Sequence, residues 1–263
     1  YIPATGVTVT TSASHTTHIE PNNTDDEDMY LNVNGNELGN LTVNLNQSSQ
    51  KVYLQSGLAL EGNLTISAGD LQTLSGNTLT MSGGTQTISI TDGSVTGTDV
   101  GSGKDLTLAI SSGSTTTFTG NATGNSDHEK KFFNVNVNSG ATLELSRGIM
   151  CRYGTFTVDG DLQINDNGYV QSVGGSPTYG NSSTLIYNNT GAFGRNHEWT
   201  STAGAGYPNN VSVTQGSVNL GSGATSTARQ IAGNLSVSSG AGFYMDYGSD
   251  DMTAALTLSL IHI

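Results

Sequence analysis

A pattern that returns about every two dozen residues constrains this chain more than any other feature. Two apolar residues alternate with a polar one, a glycine follows within a few positions, and a second short alternation begins. The copies read LTVNL at Leu41, LTISAGDL at Leu64, ISITDGSV at Ile88, LAISSGST at Leu108, VNVNSGATLEL at Val135, LQINDNGYV at Leu162, LIYNNTGAF at Leu185, VSVTQGSVNL at Val211, LSVSSGAGFYM at Leu235 and LTL at Leu256. Their first positions advance with a mean step of (256 − 41)/9, about 24 residues. A period of this size marks stacked supersecondary units, none of which can bury its apolar face alone.

Period-two alternation places Leu64 and Ile66, or Val211 and Val213, on one face of their strands. Stacking equivalent strands from successive coils covers that face, and the glycines allow the positive φ at which the chain turns. The expectation is therefore an all-β chain folded as a β-solenoid, a right-handed parallel β-helix of about ten coils with a period near 24 residues. At roughly 4.8 Å per strand such a rod is on the order of 45 Å long. An antiparallel sandwich would also use turns such as Asn34-Gly35 and Asn167-Gly168, but it does not explain the period. Composition agrees with strands and turns: 35 of 263 residues are Gly, and no window keeps a 3.6-residue apolar period for three turns.

Residues 31–257 form the expected solenoid. Residues 1–30, polar and acidic, are an irregular N-terminal segment or a first coil, and the start YIPATGVTVTT reads as a mature secreted end or a cut one. The stretch TGNATGNSDHEKK, 119–131, reads as a surface insertion that lengthens one coil. After Leu258 the repeat calls for small polar residues and a glycine, but Leu260, Ile261 and His262 stand there. The codons CTG-TCT-CTT-ATA-CAC-ATC, which open a transposon mosaic end used in sequencing libraries, translate to the same Leu-Ser-Leu-Ile-His-Ile. Residues 258–263 are therefore expected to be an adapter-derived tail.

Eight basic and 21 acidic residues give a net charge of −13, which repels nucleic acid and anionic lipid rather than attracting them. No apolar run approaches the roughly 20 residues a membrane helix needs, so no membrane insertion is expected. The single cysteine, Cys151, has no partner for a disulfide and reads as a small buried side chain.

Chemistry-bearing groups are sparse, and no cofactor motif is present. A lyase acting on acidic sugars needs a basic proton abstractor and cations, for which eight basic residues are thin provision. Glycoside hydrolysis needs two carboxylates across one bond; Asp159 and Asp161 share one strand edge at a turn and read as solvated acids. The run Asp25, Asp26, Glu27, Asp28 offers carboxylates to calcium but lacks the ligand spacing and turn glycine of an EF-hand, so it reads as an acidic loop. His15 and His18 read as exposed loop residues rather than metal ligands. The most individual stretch runs from Gly191 to Val211. It holds Trp199 with Arg195, His197, Glu198 and Tyr207, a set that would stack on and hydrogen-bond to a sugar ring if exposed. Alternatively, Trp199 and Tyr207 cover the side of the solenoid while Arg195 pairs with Glu198.

The strings GNLTVN (39–44), GNLTIS (62–67), GDLQIN (160–165) and GNLSVSSGA (233–241), with residues 183–221, carry a family resemblance. From about Leu31 to Leu258 the chain resembles the β-helical repeat regions of large secreted surface proteins of Gram-negative bacteria. These are adhesin-like or autotransporter-passenger-like, of the type IX kind exported through a C-terminal sorting domain. The resemblance implies an extracellular stalk or display rod, with glycans or other surface proteins as partners and no catalytic residues. Two rival expectations stand beside it: a carbohydrate-active β-helix, lyase or hydrolase, and a self-associating filament or phage-fibre subunit. Three or more acids and aromatics gathered on one lateral face would favour the first rival.

Overall fold

The computed structural model describes residues 12, 14–20, 28–45, 47, 50–73, 76–97, 106–120, 131–132, 134–151, 154–171, 175–194, 196–220, 228–247, 250–251 and 255–262. Its strands distribute over three faces of a β-solenoid, and the chain visits the faces in turn. On the first face, eleven strands lie side by side in chain order: Thr16–Ile19, Asn40–Asn44, Leu64–Ala68, Thr85–Ile90, Thr115–Gly120, Thr142–Leu145, Asp161–Asn165, Thr184–Gly194, Asn210–Asn219, Arg229–Val237 and Leu256–His262. The third face carries seven, from Glu37–Leu38 to Thr178–Tyr179. The second face is shared by a four-stranded group, Met29–Leu31 to Ser94–Gly97, and a three-stranded group, Lys131–Phe132, Gly148–Cys151 and Tyr169–Val170. Every described ladder is parallel except the short pair Asp246–Tyr247 with Asp250–Asp251.

Register turns the sequence alternation into columns. On the first face Leu41, Leu64, Ile88, Phe118, Leu145, Ile164, Tyr187 and Val213 stand one above another, all buried. On the third face Leu38, Leu60, Met81, Ile110, Val137 and Val158 do the same, also buried. The residues between them point outward and stay partly exposed, as do Ala59 between Leu58 and Leu60, and Glu144 between Leu143 and Leu145. Each coil thus supplies a few aliphatic side chains to one continuous interior, and removal of that area from water is the main stabilising force.

The columns correct the sequence reading at two places. Leu108 and Val135 pair with each other on the third face, not with Ile88 and Leu162 on the first. The first-face partner of Ile88 is Phe118, whose own partner is Leu145. Similarly Leu256 lies opposite Arg229, while Leu235 faces Ile261. The reason is that both faces use the same period-two alternation, so a string such as LAISSGST carries no mark of the face it belongs to. The mean period survives because each slip onto the third face is followed by a return to the first.

The Asn-Gly pairs are not hairpin turns. Asn34 and Asn167, the two described non-glycine residues with positive φ (51° and 66°), sit at corners between parallel strands. Thr16–Ile19 already pairs with Asn40–Asn44, so this part of the N-terminal segment is a first coil. The insertion expected over 119–131 falls mostly outside the described residues.

Two devices tighten the corners. Gly93 (φ 122°) follows a first-face strand and Gly120 (φ 140°) ends one, and at each any Cβ would run into the carbonyl of the coil below, that of Gly69 or Ile90. The second device is an asparagine opening a first-face strand, whose side chain reaches to the next coil. Asn40 Oδ1 accepts from Asn63 N–H (2.8 Å), Asn63 Oδ1 from Thr87 N–H (2.7 Å), and Asn210 Oδ1 from Asn234 N–H (3.0 Å). At 39–41 and 62–64 the Gly-Asn-Leu string is therefore a coil-to-coil clasp, and Asn210 makes the same clasp from an Asn-Asn-Val string.

Candidate functional site

The second face is where regular stacking stops. Gly148–Cys151 pairs with Tyr169–Val170, but among the described residues no ladder joins Tyr169–Val170 to the next second-face stretch, Ala192 to Gly194. That stretch instead pairs onward with Ser217 to Asn219, which pairs with Gly242–Tyr244.

The segment after Gly194 patches the break. His197 N–H donates to Val170 O (3.3 Å), and Glu198 Oε2 accepts from Val170 N–H (3.4 Å). A carboxylate thus takes the hydrogen bond that a neighbouring strand would have taken. Glu198 Oε1 accepts from Asn196 N–H (2.6 Å) and from Tyr187 Oη–H (3.3 Å), while Glu198 O accepts from Tyr179 Oη–H (2.7 Å). Glu198 is fully buried. Burial pushes its carboxyl above the ordinary range, and the Asn196, Val170 and Tyr187 donors oppose that shift. Burial, and then the Glu198 charge, raise the Tyr179 phenol.

Trp199 is 0% exposed. Its Nε1–H donates to Gln230 O (3.2 Å) and its ring lies 6.2 Å from that of Phe243. Arg229, also buried, donates from Nε to Trp199 O (3.2 Å). The sugar-stacking set is thereby corrected at Trp199 and Glu198: neither presents a surface, because the largest apolar side chain fills the interior beside the break and the carboxylate repairs the backbone. Tyr207 and His197 are half-buried, and Arg195 lies outside the described residues, as does its expected pairing with Glu198.

The remaining candidates lie apart. Asp25, Asp26 and Glu27 are outside the described residues; Asp28 is exposed near Tyr53, whose phenol is raised by burial and by Asp28. His15 and His18 are exposed, with His18 Nδ1 3.8 Å from Glu20 Oε1. Asp159 is exposed and Asp161 half-buried, on either side of the Gly160 bend. Cys151 is buried, and burial drives its thiol far above the ordinary range. Among the described residues no three of His, Cys, Asp or Glu are placed so as to hold a metal ion.

What sequence reasoning missed is a lateral pocket of about 650 Å³ beside the break, spanning three coils. Arg147 and Gly148 come from one coil, Asp166 to Tyr169 from the next, and Asn189 to Phe193 from the third. Asp166 is exposed, and its carboxylate takes both donors of Thr190, N–H at 2.8 Å and Oγ1–H at 2.7 Å. Those bonds hold its carboxyl below the ordinary value. Tyr169 lies flat over Gly148, where a Cβ would strike the ring. Phe193 is half-buried, its ring 5.7 Å from Tyr187. Arg147 forms the back wall; it is buried, donates from Nη1 to Ile90 O (2.8 Å), and lies 5.8 Å from the Phe118 ring centroid. Asn189, 3% exposed, donates to Ile164 O (3.3 Å), while its Oδ1 accepts nothing among the described residues. Strand lengths mark the place in the structure: the copy at Leu162 is followed by the two-residue strand Tyr169–Val170, whereas the copy at Leu185 runs on as an eleven-residue strand.

No protein-family model, no curated protein and no solved structure matches this chain.

Proposed function

We propose that the chain is a rigid segment of an extracellular bacterial surface protein, a stalk that spaces or displays what it is joined to. The observation that carries this reading is the first-face ladder, eleven described strands in chain order and parallel throughout. Bending such a stack requires many in-register hydrogen bonds and the columns beneath them to yield together, so stiffness follows from the geometry. The acidic, weakly charged and Ser/Thr/Asn-rich surface and the resemblance of the Gly-Asn-Leu strings support an extracellular location. In this reading the chain holds and presents, and it performs no reaction.

Small-angle scattering tests the shape: an elongated particle with a long axis of roughly 50 Å is expected from eleven strands at about 4.8 Å spacing. Location is tested by labelling intact cells that express the complete reading frame with an antibody against the solenoid. A scattering profile of a near-spherical particle, or labelling only after the cells are opened, would sink the proposal.

A further inference from the structure

We propose that the lateral pocket lined by Asp166, Tyr169, Asn189, Thr190 and Phe193 is a binding site for a neutral glycan, taking one sugar ring between its two aromatic side chains. This goes beyond the stalk reading and does not depend on it.

The volume, about 650 Å³, lies within the range of small-ligand clefts, roughly 300–1,000 Å³. A sugar ring has apolar C–H faces and a rim of hydroxyls, and a receptor for it needs aromatic surface with fixed acceptors and donors nearby. Tyr169 and Phe193 supply the surface, and neither is free to collapse inward, because one rests on the Gly148 backbone and the other on Tyr187. Thr190 locks Asp166 across two coils. Each carboxylate oxygen keeps a further lone pair, so two neighbouring hydroxyls can donate to it. Asn189 adds a buried acceptor with no donor among the described residues, which marks the wall as polar and incompletely satisfied.

Charge selects the neutral class. The Asp166 carboxylate is exposed in the pocket and repels the carboxylate of an acidic sugar. Arg147 is 1% exposed, so its guanidinium is scarcely reached by a ligand in the pocket. A molecule with a net charge of −13 adds a general repulsion of polyanions. Hydrolysis of the bound sugar is not part of the proposal, since the pocket lining holds one carboxylate where that reaction uses a pair.

Saturation-transfer NMR on the full chain tests the site. The probes are neutral tetrasaccharides of β-1,4-glucan, α-1,4-glucan, β-1,4-mannan and β-1,4-galactan, with an oligogalacturonate as the acidic comparison. At least one neutral probe should receive saturation and the acidic one should not. Tyr169→Ala should abolish transfer, and the near-isosteric Asp166→Asn should weaken affinity roughly tenfold, the effect of losing a charge-assisted acceptor, with a retained thermal midpoint confirming the fold. The proposal is overturned if no neutral probe binds, if the oligogalacturonate binds as well, or if a probe binds equally to the wild type and the folded Asp166→Asn variant.

Discussion

Residues 40–90 and residues 184–235 both hold coil upon coil, but by opposite means. In the first region contacts recur from coil to coil: Leu41 on Leu64 on Ile88, Asn40 clasping Asn63 and Asn63 clasping Thr87. In the second, the column and the Asn210 clasp continue, but at the break single-copy side chains carry the join. Glu198 substitutes for a strand, Trp199 fills the interior, and Arg229 ties its carbonyl down. Repetition spreads load over interchangeable parts, so one loss is shared by neighbours. The spliced region concentrates it in residues with no counterpart above or below.

The largest effect should come from breaking the unrepeated side. Trp199→Ala removes the largest fully buried side chain, and its expected cost is about 3–5 kcal/mol, read as a lowered urea midpoint. A corner of the repeated side comes next: Gly93→Ala, at φ 122° and against the Gly69 carbonyl, should cost about 1–3 kcal/mol by the same measurement. Asn63→Ala removes one clasp of several and should cost about 1 kcal/mol; a loss as large as that of Trp199 would erase the distinction between the regions.

Glu198→Gln sharpens the comparison through its pH dependence rather than through the size of a single loss. The folded carboxyl titrates above its ordinary value of 4.5 because it is desolvated. The folded state therefore holds the proton more tightly than the unfolded one, so this group's stabilisation is complete below the unfolded value and is lost as pH rises through the folded value. Wild-type stability followed by denaturation from acid toward neutral pH should show that decline, and Glu198→Gln should lack it. Equal pH profiles would mean that Glu198 is not buried at the break.

Much of the fold was legible because alternation and glycine spacing are local. The strands at Leu41, Leu64, Leu162, Leu185, Val211 and Leu235 fall on the first face as expected. The assignments of Leu108 and Val135 failed because face identity is not local; it depends on how many corners the chain has turned. The aromatic segment was recognised as unusual, but its direction was not, since Trp199 in a loop can point outward or inward with the same letters on either side. The pocket was hidden for the same reason, as Asp166, Tyr169 and Thr190 are ordinary residues until three coils bring them together.

By itself the sequence determined the all-β class, the stacked coils and their period of about 24 residues, because period-two strands with no self-sufficient core must be covered by their own copies. It also placed the corners, where only glycine or asparagine adopts the required φ at low cost. Tertiary structure alone decided which apolar residue lies on which, where the second face breaks, and that Glu198 and Trp199 turn inward. Those choices rest on contacts between residues some 20 to 30 positions apart, and such contacts are set by register between coils rather than by the letters within one.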